Sequence, residues 1–241
     1  MPYYYYNSTG LLPVLICALF ALWASHNVNV NSTFKKYAKQ FSSRGITGAQ
    51  AAQRVLSANG VYGVKILRVD GNLTDHFDPG KNMIFLSDDV YDSTSTAAIG
   101  VACHEAGHAV QYAQNYGPIK LRAAIIPVTN IGSKLAMPLI LIGLLLAAAE
   151  NVSFTFVYLG IACFGLSLVF QLVTLPVEFN ASRRAMEAIE SANLLTEEEQ
   201  RGAKKTLKAA ALTYVAATAT ALAQLLRLIL LFGGNRRRSN D

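Results

Sequence analysis

Residues 93–117 read STSTAAIGVACHEAGHAVQYAQNYG, and the remainder of the chain is best understood outward from them. Helix formers dominate the stretch, the hydroxyl side chains from Ser93 to Thr96 offer N-caps, and Gly117-Pro118 supplies a stop. These signals predict a helix over about 94–116. Inside it stands His104-Glu105-Ala106-Gly107-His108. Residues four apart share one helix face, so both imidazoles can reach one metal ion, while Glu105 points beside it toward a water. Zinc takes neutral nitrogen ligands and, in catalytic sites, keeps a position open for water, for which a neighbouring carboxylate is the general base. The competing reading is two surface histidines on an ordinary helix. Cys103 is expected to be a buried small residue rather than a nucleophile paired with His104, because adjacent helical side chains diverge by about 100°.

Upstream, Thr47-Gly-Ala-Gln50 is a capping box that opens a helix over 48–59, closed by Gly60. Val64 to Val69 alternates as a strand, Met83 to Leu86 reads as another, and Asp78-Pro-Gly-Lys-Asn82 supplies turn chemistry between them. A small sheet is therefore expected beside the HExxH helix, with Met83 to Leu86 as an edge strand able to pair with an extended substrate. Asn31 to Arg44 is basic and reads either as a juxtamembrane helix on anionic lipid or as a solvated linker helix.

The chain has 241 residues, 52% of them hydrophobic and 15% charged, with a net charge of +6. Soluble domains carry about a quarter charged residues, and here the apolar residues fall in runs. Disordered and disulfide-stapled classes are excluded, and the basic residues form no aromatic-interleaved patch for nucleic acid. Leu11 to Ala24, extended by Tyr3 to Tyr6, is expected to be a first span. Leu135 to Ala149 and Phe154 to Val177, joined at Glu150-Asn151, read as a transmembrane hairpin. Ala209 to Phe232 is long enough to cross but contains Gln224 and Arg227, so it either spans or packs against the others. The expected division is 1–26 first span, 27–122 catalytic region, 123–177 hairpin, 178–208 helical segment, 209–232 membrane helix and 233–241 basic tail. Ten Lys/Arg lie between His26 and Arg122 and six between Phe179 and Lys208, which places both polar segments in the cytoplasm. Arg236 to Arg238 disagree with four complete spans.

A catalytic zinc ion wants a third protein ligand, and the two other histidines are His26 and His76. A carboxylate is then the first candidate, and Glu178, on the same membrane side as the HExxH helix, is the leading one. Glu150 is on the wrong side, and Glu187, Glu190 and Glu197 to Glu199 read as a solvated face. His76 has two readings: an oxyanion donor or substrate contact, or a loop histidine bonded to Asp75 or Asp78.

HEAGHAVQ, LTDHFDP (73–79) and TLPVEFNASRRA (174–185), with a membrane hairpin between the first and last, resemble the YugP-type membrane-bound neutral zinc metallopeptidases over essentially the whole chain from Asn31 to Leu231. The order is also similar to the HtpX and CAAX-prenyl-protease type, in which an Asp four positions after the zinc Glu supports a ligand histidine; here that position is Ser182, and Asn180 or another acid is the expected replacement. The resemblance implies His104, His108 and Glu178 as ligands of one zinc ion and Glu105 as general base. The expectation is a mostly α, multi-pass membrane protein with a small β-sheet next to a zincin-like helix. It would hydrolyse membrane-associated or misfolded polypeptides at the cytoplasmic face of the cell membrane, a quality-control role, without nucleic-acid partners. The alternative is a catalytically inactive scaffold or metal-binding protein that keeps the fold.

Overall fold

A computed structural model describes residues 30–147 and 154–233; the expected first span, the expected hairpin turn at Glu150-Asn151 and the basic tail lie outside the described residues. The chain is mostly helical with one small sheet, and it divides into two compact units.

The first unit takes in His26–Lys120 and Thr174–Thr213. Helix α1 (Gly48–Ala58) opens on the capping box: Thr47 Oγ1 accepts from the Gln50 N–H, and Gln50 Oε1 accepts from the Thr47 N–H. Its apolar face, with Val55 and Leu56, is buried. Strands β1 (Lys65–Val69), β2 (His76–Asp78) and β3 (Met83–Ser87) form a sheet in the order β1-β3-β2. β1 runs parallel to β3, with Lys65 opposite Met83, and β2 runs antiparallel to it, with Phe77 opposite Ile84. The expectation of an edge strand at Met83 to Leu86 is thus corrected, since β3 is central. Its sequence explains this: Ile84, Leu86 and Ser87 are fully buried, so both its ladders must be filled by protein, and the more polar β1 and β2 take the edges. In the β2–β3 turn Asp78 Oδ1 accepts from the Gly80 and Lys81 N–H groups, and Asn82 takes a φ of 54°.

After the short helix α2 (Asp88–Tyr91), α3 (Thr96–Ala113) carries the HExxH residues, with Ser95 Oγ accepting from the Ala98 N–H at its start. It ends earlier than expected, through Asn115 at φ 57°, and Gly117-Pro118 opens α4 (Gly117–Ala147) instead. Proline lacks an N–H, which a first helical turn does not need. The basic segment is helical only over 30–37. Beyond it the chain is a strap on the start of α3, where Thr96 N–H donates to Gln40 O and Ser42 N–H to Thr94 O. Ile84, Leu86, Val90, Ile99, Ile189 and Leu194 form the centre of the core.

The second unit takes in Leu121–Val173 and the chain from Tyr214, which includes most of α4 and parts of α5 (Thr155–Ser191) and α6 (Glu197–Gly233). All three helices are long and apolar enough to cross a membrane. A Cβ on Gly160 would lie 2.7 Å from Ala136 O, so glycine lets α4 and α5 approach closely. Thr218 and Thr220 donate to the carbonyls four residues back at 2.8 Å, satisfying hydroxyls that lipid cannot. Leu141, Leu145, Leu159, Leu172 and Leu230 are exposed, an apolar surface that a bilayer accommodates and water does not.

Candidate metal centre

Small residues bring α3 and α5 together. Ala102, Ala106, Ala181 and Ala185 are fully buried, and a Cβ on Gly107 would stand 2.9 Å from Ala181 O. This seam carries His104 and His108 of α3 to Glu178 of α5. His104 Nε2 lies 3.2 Å and His108 Nε2 3.5 Å from Glu178 Oε2. The rings sit edge to face with centroids 4.7 Å apart. Glu178 is 2% exposed, so its carboxylate has left water and has exchanged hydration for the two imidazoles.

Each imidazole turns its other nitrogen to a neutral oxygen. His104 Nδ1 is 3.1 Å from Ser182 Oγ, and His108 Nδ1 is 3.0 Å from Gln111 Oε1. Gln111, fully buried, donates through Nε2 to Val177 O and to Asn180 Oδ1, both at 2.9 Å. Arg184 Nε donates to the same Asn180 Oδ1 at 2.7 Å, and its Nη1 to Gln114 Oε1. With Nδ1 of each ring engaged by these oxygens, both Nε2 atoms face the point they share with Glu178 Oε2, where a metal ion would take their lone pairs.

The donor set fits zinc. The three ligand atoms lie within 4.8 Å of one another, and the 3.2 and 3.5 Å separations from the carboxylate match the roughly 3.3 Å edge of a tetrahedron built on 2.0–2.1 Å bonds. Burial opposes charge on His108, but the hydrogen bond to Glu178 and the charges of Glu105 and Glu178 outweigh it and raise its pKa. Glu105 is 8% exposed; its charge also helps raise the pKa of Asp75, after burial and against the Ser87 hydrogen bonds. Burial pushes the Cys103 thiol up, leaving an inert packing residue.

The other expected residues fall elsewhere. His76 lies on β2 and outside this cluster, stacked on Phe85 at 4.9 Å with Nδ1 2.8 Å from Thr74 O. Its expected carboxylate partners are engaged elsewhere, Asp75 with Ser87 and Asp78 with the turn. The Thr74 contact engages Nδ1, so any contact of His76 with a substrate falls to Nε2. Glu199 departs from the expected solvated face: it is buried and accepts from the Thr196 and Ser43 N–H groups. Ser182 itself meets His104, and Asn180 acts one step further out, on Gln111.

The sequence profile described as "Putative neutral zinc metallopeptidase" matches residues 11–233. The chain belongs to this family. The chain is also similar to the "Putative membrane protease YugP" of Bacillus subtilis (strain 168), 45% identical over 216 residues that cover 90% of this chain and 93% of that protein. No solved structure matches it. A neutral zinc metallopeptidase requires zinc, and among the described residues His104, His108 and Glu178 are the group able to hold it. The sequence alone does not mark Gln111 and Ser182 as ligand supports. Gln111 did leave a trace: three residues after His108, it shares that ligand's helix face.

Proposed function

We propose that the chain is a gluzincin-type endopeptidase, with His104, His108 and Glu178 as ligands of one zinc ion and Glu105 as general base. Its substrates are membrane-associated or unfolded polypeptides, and its active site faces the cytoplasm. The observation that carries this reading is the convergence of both Nε2 atoms on Glu178 Oε2, with Glu105 next to His104 on the same helix. When bound, zinc supplies Lewis acidity that polarises a carbonyl and acidifies a water. Glu105 accepts the proton of the attacking water and returns it to the departing amine. Ser182 and Gln111 hold the imidazoles in the tautomer that leaves Nε2 free, and the buried seam keeps bulk water from the ligands. β2 is a sheet edge, so an extended substrate can pair there, with His76 Nε2 as its contact.

The cytoplasmic placement rests on the sixteen Lys/Arg of the two polar segments, ten in one and six in the other. Hydrolysis of casein or of a detergent-solubilised membrane peptide tests the activity. Glu105→Gln is expected to retain zinc and lower kcat roughly 100- to 10,000-fold; full turnover by that variant would remove Glu105 as base. Zinc bound at one per chain by a wild-type protein that cleaves no polypeptide would favour the inactive scaffold.

A further inference from the structure

Residues 33–37 and the stretch Lys205–Leu212 of α6 enclose a cleft of about 280 Å³. Lys36, Lys205 and Lys208 line it, with Lys36 Nζ 5.6 Å from the centroid of the Tyr37 ring that also lines it, and Ala209 and Leu212 complete the lining with apolar side chains. No aspartate or glutamate lines it, and among the described residues none of the three lysines is paired with a carboxylate. Like charges gathered around one cleft repel unless an anion joins them, and lysine is a compact point-charge donor for phosphate. The cleft also has a direction. Lys208 directly precedes Ala209, where the apolar run to Phe232 begins, so cationic donors stand where α6 passes from charged to lipid-like composition.

We infer that this cleft binds the phosphate of an anionic phospholipid, with the ester and acyl portion against Ala209 and Leu212. An inorganic anion would use the lysines and leave the apolar lining unexplained. The inference rests on α6 entering a bilayer and is independent of the metal centre. It has a structural consequence, because the walls of the cleft seat the HExxH helix. A Cβ on Gly202 would stand 2.9 Å from the Tyr37 ring, and Gly202 also abuts the Gln40 and Thr96 side chains; Gly100 of α3 abuts Ala203. A headgroup held between the two walls ties them to the start of α3.

The test uses the full chain in detergent, titrated with phosphatidylglycerol or phosphatidylcholine in mixed micelles, with retained lipid read by native mass spectrometry and Tm read alongside. Wild type is expected to prefer phosphatidylglycerol roughly tenfold and to gain Tm from it. The Lys36→Gln/Lys205→Gln/Lys208→Gln variant should keep its lipid-free Tm and lose both effects. A variant with equal charge loss outside the cleft, Lys35→Gln/Lys39→Gln/Lys204→Gln, should retain both. Equal loss in the two triple variants would make the effect diffuse surface charge and overturn the site. Complete displacement of phosphatidylglycerol by millimolar inorganic phosphate would overturn the lipid assignment in favour of a soluble anion. If the cleft triple variant does not fold, Lys208→Gln alone is expected to weaken phosphatidylglycerol binding roughly fivefold, and an unchanged affinity would count against the inference.

Discussion

Glu105 and Glu178 are both buried carboxylates beside imidazoles, and their geometry separates their proposed chemistry. Glu178 sits between two Nε2 atoms and has the place of a ligand; Glu105 stands one residue from His104 and has the place of a base. Glu178→Ala should therefore lower zinc affinity sharply in a competition titration with a chelator, and an unchanged affinity would mean that another residue completes the centre. Gln111→Ala and Ser182→Ala should each weaken zinc about 10- to 100-fold, with the fold unchanged by circular dichroism. The HExxH residues could be read directly because their chemistry lies in a fixed local spacing. Glu178 was readable by elimination among carboxylates and by membrane side. Ser182 and Gln111 were not, because their role depends on how closely two helices distant in sequence approach. His76 was half readable: its place beside the turn was local, whereas its bond to Thr74 O depends on a strand too short to announce itself.

The seam between α3 and α5 is the element on which the centre depends, and it is built from residues with almost no side chain. Gly107→Ala is expected to force the helices apart at Ala181 O, costing about 1–3 kcal/mol, and to weaken zinc binding together with Tm. Wild-type values for both would mean that the seam does not set ligand spacing. Helix α1 was legible to within a residue because its capping box is a signal of four adjacent residues. The order of the sheet was not, since nothing within Met83–Ser87 states which strands flank it; only its burial in the folded chain does. Gly117-Pro118 misled because the same pair ends one helix and starts another, and Asn115 had already turned the chain. The strap after residue 37 is not legible in the sequence because its bonds go to Ser95 and its neighbours, far along the chain.

The chain joins a core that carries the candidate metal centre to helices long and apolar enough for a bilayer, and its membrane character was plain from composition and run length alone. Orientation is a proposal from charge. A cysteine introduced at exposed Gln53 should react with a membrane-impermeant maleimide in inverted vesicles and stay unlabelled in intact cells; labelling from outside would reverse the topology. If His104, His108 and Glu178 hold one zinc ion, the metal content of the purified, chelator-free protein will show it beside a His104→Ala control. About one zinc per chain, lost in the control, is the predicted result. No metal in either protein after zinc supplementation would rule out the zinc centre and leave the cluster as a buried hydrogen-bond network.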